Sequence, residues 1–226
     1  MGRVVLEVLT AEEDIRVRHA VDQSGLSGQR IQEYVLESDA NPAELKSDVW
    51  IDISLPSPAT KHAKQAESLG IPILIGTTGF SDSEMTILSS LSNAHIIAPN
   101  LSIAVNLLFG TVGAMRRTLG AGFDTAIVET HHRHKVDAPS GTASRLREVL
   151  ENAVDDNQYG PIQISSLRIG EVTGEHRVLF ASEGEEIEVI HRARSRMAFA
   201  RGVPPAVRFL SGKTGGAYTM ADVLGI

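Results

Sequence analysis

The sequence predicts an α/β fold in which a doubly wound parallel sheet is joined to a smaller α+β domain with a mixed sheet. Strand and helix patterns alternate up to residue 100, and three strand patterns then follow one another closely in the second half. The chain has 226 residues, of which 42% are hydrophobic, and this is enough for two modest domains with packed cores.

The first hundred residues carry the alternation. Strand patterns cover 15–22, 48–54, 71–75 and 95–98, and helical patterns cover 4–9, 56–69 and 81–91. The polar stretch 23–46 predicts a loop with a short helix. Ser81 and Glu84 have the spacing of a capping box, and Gly70 ends the helix before them. Strands joined by helices in this way pair in parallel, and such sheets bind ligands at the carboxyl ends of their strands.

The second half has a different order of elements. The predicted elements are helices at 102–119 and 140–152 and strands at 123–130, 162–169, 175–181 and 185–191. Residues 194–209 have a helical pattern that Pro204 and Pro205 must break or kink. The succession of strands predicts the second, mixed sheet.

Composition excludes several functions. The 21 Lys and Arg and 28 Asp and Glu give a net charge of −7, which argues against broad binding to nucleic acid or anionic membranes. The absence of cysteine excludes disulfides, thiolate metal sites and a cysteine nucleophile, and fits a cytoplasmic protein. The uncharged run 96–115 contains Pro99 and Asn100, and therefore predicts a buried strand end and helix rather than a membrane span.

The densest group of chemically active side chains is 131–135, which reads His-His-Arg-His-Lys. Histidine is the side chain best suited to donate a proton near neutral pH. Two other interpretations stay open, and the first is a solvated basic loop. The second is a zinc site, whose candidate ligands are Glu129, His131, His132 and His134. Against zinc, the interleaved Arg133 and Lys135 would repel a dication.

An anion site is predicted a few residues later. Ser140, Gly141 and Thr142 stand at the start of a predicted helix, where free N–H groups and a partial positive charge favour anions. Together with Lys135, this helix start suits a small dianion, with one carboxylate at each place. No metal is required by this interpretation.

Two strand ends in the first half suit a nucleotide. The turn Gly76-Thr77-Thr78-Gly79 follows a strand of the predicted parallel sheet, and Asp22 at another strand end could bind ribose hydroxyls. Each signal has an ordinary alternative, because turns and strand ends carry glycine and aspartate without any ligand.

These motifs resemble those of the dihydrodipicolinate reductase family. The resemblance rests on 129–142, on Gly76-Thr77-Thr78-Gly79-Phe80, on 98–102 and 105–108, and on segments at 191–200 and 218–226, so that it covers essentially the whole chain. It implies a Rossmann-like first domain and the NAD(P)H-dependent reduction of 4-hydroxy-tetrahydrodipicolinate, a cyclic dicarboxylate, in lysine and diaminopimelate biosynthesis.

The resemblance also implies roles for individual residues. His131 matches the catalytic histidine, a proton donor, and Lys135 the catalytic lysine. The substrate-binding positions are His132, Ser140, Gly141 and Thr142. The cofactor-binding positions are Gly2, Arg3, Asp22, Gly76, Thr77, Thr78, Ala98, Pro99, Asn100 and Leu101. The implied domains are a dinucleotide-binding domain, 1–102 with 196–226, and a substrate-binding and oligomerisation domain, 103–195. The family implies a homotetramer, and Asp22 without a neighbouring arginine favours NADH over NADPH.

The chain departs from the family pattern at its start. The family begins with a strand and a glycine-rich phosphate loop, whereas this sequence starts at Gly2 and Arg3, which match the end of that loop. The first strand is therefore expected to be missing, which would leave neighbouring strands without a ladder partner. Leu55 stands where some members have arginine. These departures keep two alternatives open: a cofactor-deficient homologue that binds dicarboxylates without catalysis, and a zinc hydrolase.

Overall fold

The structure is a computed structural model that describes residues 1–23, 26–38, 44, 46–154 and 161–226. Its elements are, in chain order, α1 (Gly2–Thr10), β1 (Arg30–Ile31), β2 (Tyr34–Val35), β3 (Trp50–Asp52), α2 (Pro56–Ser68), β4 (Ile73–Ile75), α3 (Asp82–Ser89), β5 (His95–Ile97), α4 (Ile103–Leu119), β6 (Asp124–His131), α5 (Gly141–Asn152), β7 (Gln163–Arg168), β8 (Gly174–Ala181), β9 (Glu186–Ala193), α6 (Met197–Ala200), α7 (Val203–Leu210), β10 (Ala217–Tyr218) and α8 (Met220–Leu224). No helix in these described stretches is both long and apolar enough to cross a membrane.

The chain divides into two compact units. Unit 1 consists of Met1–Leu101 and Phe199–Gly225, and unit 2 consists of Ser102–Ala198 with Ile226. Unit 1 contains a four-stranded, wholly parallel sheet in the order β10-β5-β4-β3. Unit 2 contains a four-stranded mixed sheet in the order β7-β6-β8-β9, in which only the β6–β7 pair is parallel. The predicted fold class, a doubly wound parallel sheet with a second mixed-sheet domain, is confirmed.

The core of unit 1 is built on both faces of its sheet. All three residues of β4 are fully buried, as expected of a parallel strand covered on both faces. Leu74 packs in one cluster with Val5 and Leu9 of α1, whereas Ile73 and Ile75 pack in another with the small residues of α2. The capping box predicted at Ser81 is present at the start of α3.

The predicted strand 15–22 is wrong. Residues 15–20 form no strand, and Val21 makes only an isolated parallel bridge to Glu37. In the described part of the chain β3 is an edge of its sheet, and this segment does not pair with it. The described residues between 23 and 46 form the short hairpin β1–β2 and no α-helix, whereas residues 24, 25, 39–43 and 45 lie outside the described residues.

The predicted helix 194–209 is interrupted, as Pro204 and Pro205 require. It is split into α6 and α7, and the prolines occupy the first turn of α7, where their missing N–H groups have no intrahelical partner to lose. The residue before α7 is Gly202, because no side chain fits at this position. A Cβ there would lie 1.7 Å from the carbonyl oxygen of Leu101.

Unit 2 packs two helices against one face of its sheet. Leu108 and Val112 of α4 and Leu146 and Leu150 of α5 form one core with alternate residues of the central strands β6 and β8. Along β6 and β8, the same face carries polar residues further on. The register places Ser166, Glu129, His176 and His191 in one row across β7, β6, β8 and β9. This row underlies the candidate site.

Candidate functional site

The centre of the site in unit 2 is a buried glutamate–histidine pair on β6. His131 ends the strand, and its Nδ1 hydrogen-bonds the Oε2 atom of Glu129, two residues earlier on the same face. Glu129 has no exposed surface, and His131 is 8% exposed. Arg168 of β7 donates from Nη2 to Oε1 of Glu129 at 2.8 Å. The buried carboxylate is thus paired with a cation, as burial of a charge requires.

The pKa values of this pair follow from its surroundings. Burial opposes ionisation of Glu129, but hydrogen bonds from Arg168 and Ser166, together with the nearby His131, lower its pKa to about 2. Burial lowers the pKa of His131 below its usual value, and the Glu129 carboxylate opposes this change. Near pH 7, and without a bound anion, Glu129 is therefore ionised and His131 is mostly neutral.

The rest of the basic cluster lies on the loop after β6. The side chain of Lys135 is 23% exposed, and its Nζ atom pairs with Oδ1 of Asp137 at 2.8 Å. Arg168 also donates from Nη2 to the carbonyl oxygen of Asp137, so that the same arginine contacts the loop and the buried glutamate. Arg133 and His134 are exposed and lie near Glu171. The five basic residues in sequence therefore differ in exposure: His131 is buried, His132 and Lys135 are half-buried, and the other two are exposed to solvent.

The predicted anion site is the amino end of α5. Ser140 caps the helix by accepting from the N–H group of Ala143, and Gly141 is the first helical residue. Gly141 is exposed, with open space where a Cβ would lie, so a ligand can approach its backbone closely. Thr142 follows in the first turn and is half-buried. The helix start offers N–H groups and a partial positive charge, as predicted.

Ser140 itself is directed inward. It is 2% exposed, its Oγ lies 3.2 Å from Nε2 of His176, and its N–H group donates to Oε1 of Glu129 at 3.3 Å. The serine predicted to bind substrate thus holds the start of α5 against the sheet, while Gly141 is exposed and Thr142 is half-buried.

Sequence reasoning missed His176 and its neighbour in the row, His191. Burial, with repulsion from His131 and His191, lowers the pKa of His176 to about 3. The rings of His131 and His176 meet edge to face with centroids 5.1 Å apart. Arg168 was also missed, and Glu129 was considered only as a metal ligand. The strand alternation of 174–181 puts His176 on the buried face, and this signal could have identified it.

A metal ion suits this cluster poorly. Glu129, His131 and His176 have donor atoms within 4.8 Å of one another. However, both carboxylate oxygens of Glu129 already accept hydrogen bonds, one of them from Arg168, whose positive charge would repel a dication. The zinc set considered from the sequence is separated, because His134 is solvated while His131 is buried.

In unit 1, a buried carboxylate supports the predicted nucleotide-binding turn. Asp52 at the end of β3 accepts from Oγ1 of Thr77 at 2.8 Å, from the N–H and hydroxyl groups of Ser54, and from Nδ1 of His62 at 2.6 Å. Burial opposes ionisation, but these hydrogen bonds lower the pKa of Asp52. Thr77 is buried and Thr78 next to it is exposed. The turn is therefore held in place by the buried Asp52 on its inner side, and its outer side is exposed.

The two predicted cofactor segments adjoin one another. Gly76 follows β4, and Ala98 follows β5, which is the parallel neighbour of β4. The N–H group of Gly76 donates to the backbone carbonyl oxygen of Asp52, and that of Ala98 to the backbone carbonyl oxygen of Ile75. A Cβ at Gly76 would lie 2.8 Å from a side-chain carbon of Leu101. Within the second segment Asn100 and Leu101 are buried and Pro99 is exposed. The glycine thus allows the segments to pack closely.

The remaining predicted cofactor residues, Gly2, Arg3 and Asp22, lie outside the two segments that follow β4 and β5. Gly2 and Arg3 are exposed in the first turn of α1. Asp22 is exposed, and it follows an isolated bridge instead of ending a strand as predicted. Its backbone N–H donates to the carbonyl oxygen of Glu37.

Comparisons with known proteins give one consistent result. The family model for "Dihydrodipicolinate reductase, N-terminus" matches residues 1–101, and that for "Dihydrodipicolinate reductase, C-terminus" matches residues 104–224. The 4-hydroxy-tetrahydrodipicolinate reductase of Nitrosomonas eutropha (strain DSM 101675 / C91 / Nm57) is 38% identical over 254 aligned residues, which cover 100% of this chain and 94% of that protein. The enzyme of the same name from Neisseria meningitidis serogroup B (strain ATCC BAA-335 / MC58) is 35% identical over 253 residues, with the same coverage.

A solved structure shares the fold. The dipicolinate-bound dihydrodipicolinate reductase from Paenisporosarcina sp. TG-14 superposes with a TM-score of 0.76 at 22% sequence identity, covering 98% of this chain and 94% of that one. At this identity the similarity shows the architecture of the chain.

Proposed function

This chain belongs to the dihydrodipicolinate reductase family, and on that premise we propose that it reduces 4-hydroxy-tetrahydrodipicolinate to tetrahydrodipicolinate with NAD(P)H in lysine and diaminopimelate biosynthesis. It is an NAD(P)H-dependent oxidoreductase. The observation that carries the proposal is the buried pair of Glu129 and His131 beside the loop of Lys135 and the amino end of α5.

The residues of unit 2 suit a cyclic dicarboxylate. One carboxylate of the substrate binds at the amino end of α5, at Gly141 and Thr142, and the other binds near Lys135, with His132 beside it. Ser140 contributes by holding the helix start in place. Lys135 is paired with Asp137 in this structure, and a substrate carboxylate takes the place of that partner or shares the lysine with it.

His131 acts as the proton donor. It is mostly neutral in the free protein, because burial lowers its pKa. A dianion bound beside it favours the charged imidazolium and raises its pKa, so that His131 takes up the proton it will donate. The reaction removes water from the substrate ring and adds a hydride and a proton; the bound cofactor supplies the hydride, and His131 supplies the proton.

Unit 1 provides the cofactor site. The segments Gly76–Thr78 and Ala98–Leu101 lie at the carboxyl ends of neighbouring parallel strands, which is where open α/β sheets bind nucleotides. Gly2, Arg3 and Asp22 are further cofactor contacts in this proposal. Since Asp22 has no adjacent arginine to bind a 2′-phosphate, NADH is the preferred cofactor. The functional domains are accordingly 1–102 with 196–226 for the cofactor, and 103–195 for the substrate.

The assembly we propose is a homotetramer built through the sheets of unit 2. The face of this sheet turned away from α4 and α5 carries half-exposed apolar residues beside an ion-pair ladder in which Glu175 accepts from Arg177 and Arg192. Such a face is suited to packing against a second copy.

The cytoplasm is the proposed location, because a reductase of this class needs a supply of reduced nicotinamide cofactor.

The test is an NADH oxidation assay with the purified protein. NADH should be oxidised only when the dicarboxylate is supplied, and the double variant of His131→Gln with Lys135→Ala should lose nearly all kcat. Arg145→Gln removes a charge from an exposed position of α5 that pairs with Glu148, and this matched control should keep kcat. Full kcat in the double variant would show that the assigned roles are wrong.

One observation favours a second candidate, a cofactor-deficient homologue that binds dicarboxylates without catalysis. Among the described strands β3 is an edge of the parallel sheet, so the outer side of β3 has no ladder partner there. Calorimetric titration with NADH and then with NADPH separates the candidates. Micromolar affinity for either cofactor would exclude the second.

A further inference from the structure

We propose that Glu129 is a positioning residue for catalysis: its carboxylate fixes the tautomer and direction of His131 and holds the amino end of α5 to the same point. This inference rests on the proposed function for the reaction that His131 serves. The arrangement itself is a property of the free protein.

The contacts of Glu129 show that both of its oxygens are engaged. Oε2 accepts from Nδ1 of His131, and Oε1 accepts from Arg168 and from the backbone N–H of Ser140. The register of the sheet adds Ser166 on the neighbouring strand, which also hydrogen-bonds the carboxylate. A single buried carboxylate therefore contacts the proposed proton donor, the cap of the anion-binding helix and a charge-balancing arginine.

The tautomer of His131 follows from this geometry. A carboxylate that remains ionised only accepts hydrogen bonds, so the atom facing it, Nδ1 of His131, must carry the hydrogen. Nε2 is then the atom that gains and gives the catalytic proton. Gly174 lies beside Nε2, and a Cβ at this glycine would be 3.2 Å from it, so the absence of a side chain leaves the space next to Nε2 open.

Arg168 keeps the carboxylate in its charged form and extends the arrangement to the loop. The guanidinium donates from Nη2 both to Glu129 and to the carbonyl oxygen of Asp137, whose side chain pairs with Lys135. His131 and the start of α5 are thus hydrogen-bonded directly to Glu129, and Lys135 is connected to it through Arg168 and Asp137 by three successive contacts. Preorganisation of this kind keeps the reacting groups in place before substrate binds.

The experiment replaces Glu129 by glutamine, which keeps the shape and removes the charge. The amide oxygen can still accept from Ser140, but the amide nitrogen now faces Nδ1 of His131 and donates to it, which reverses the tautomer. We expect kcat to fall about 100-fold or more, because general acid catalysis by a wrongly protonated histidine is lost. KM for the dicarboxylate should change little. Glu67→Gln is the matched control, because hydrogen bonds also lower the pKa of Glu67 to about 2, through Ser92 and Lys64.

Two readouts separate positioning from a purely structural role. Nitrogen-15 NMR should show hydrogen on Nδ1 of His131 in the wild-type protein and on Nε2 in Glu129→Gln. The pH profile should also shift. The charged and titratable groups around His131 are Glu129, Lys135, Arg168 and His176, and of these only Glu129 raises its pKa. Loss of the Glu129 charge lowers the pKa of His131. The decline of activity with rising pH should therefore begin at a lower pH in Glu129→Gln than in the wild-type protein.

The outcomes are decisive even where activity is not measurable. A wild-type His131 with its hydrogen on Nε2 would overturn the proposal without any variant, and so would a folded Glu129→Gln protein with unchanged kcat and pH profile. The NMR measurement needs no substrate. Failure of the wild-type protein to oxidise NADH or NADPH with the dicarboxylate would therefore count against the proposed function alone.

Discussion

His176 should contribute to the acid sensitivity of unit 2, and His176→Gln should remove that contribution. The imidazole is 4% exposed, with Nε2 on the hydroxyl of Ser140, and in the described part of the chain its Nδ1 has no hydrogen-bond partner. The amide of glutamine can reach the same hydroxyl and takes up no proton. The substitution therefore removes the titration while it retains the contact that holds Ser140.

The magnitude follows from the two pKa values. The pKa of His176 is about 3 in the folded protein, against 6.5 in an unfolded chain. Above pH 6.5 both states are neutral, and the group has no effect. Below it the unfolded chain binds a proton that the folded protein does not, and the free energy of unfolding falls by about 1.4 kcal/mol per pH unit. Between pH 7.5 and 4.5 this amounts to about 3 kcal/mol.

The assay is amide hydrogen exchange of β8, measured across this pH range and corrected for intrinsic exchange. It reports the free energy of opening for unit 2 by itself, so that a separate transition of unit 1 does not interfere. Burial also lowers the pKa values of His131 and His191, but both residues are present in both proteins. The wild-type value should fall by about 3 kcal/mol more than that of His176→Gln. Equal pH dependence in the two proteins would refute the reasoning.

Two further substitutions test the surroundings of the proposed sites. Gly174→Ala places a Cβ 3.2 Å from Nε2 of His131, and displacement of the imidazole ring should lower kcat about tenfold. Gly122→Ala is the control, because a Cβ at Gly122 meets open space, and it should keep kcat. Equal kcat values in the two variants would contradict the proposed direction of the ring. Thr77→Val removes a hydrogen bond to the buried Asp52, and should lower the free energy of unfolding of unit 1 by about 1–2 kcal/mol and weaken NADH binding. Urea unfolding followed by the single tryptophan, which lies in unit 1, measures the first effect, and an unchanged transition would show that this hydrogen bond contributes nothing.

Features whose backbone hydrogen bonds depend only on residues nearby in the chain could be predicted from the sequence. The capping box at Ser81 and the interruption at Pro204 depend only on neighbouring backbone, and both are present. The alternation at 15–22 is just as regular, yet it forms no strand. A strand needs a ladder partner, and the partner of this segment is not specified by its own residues.

The candidate site shows the same limit. The basic cluster and the helix start at Ser140 were visible in the sequence. The contact that turns Ser140 inward comes from His176, which is 36 residues away on another strand. The central place of Glu129 likewise depends on the register of β6 with β7 and β8. Long-range register was needed to distinguish the buried members of the cluster from the solvated ones.

The division of the chain has a consequence for biosynthesis. Unit 2 is formed almost entirely by the continuous stretch 102–198, whereas unit 1 is complete only when β10 pairs with β5 and when Arg208 reaches Asp14, 194 residues earlier. Contacts between distant parts of a chain form late and slowly. On the ribosome we therefore expect unit 2, which carries Glu129 and His131, to fold first, as an insertion within unit 1, which becomes complete only after the last residues are made.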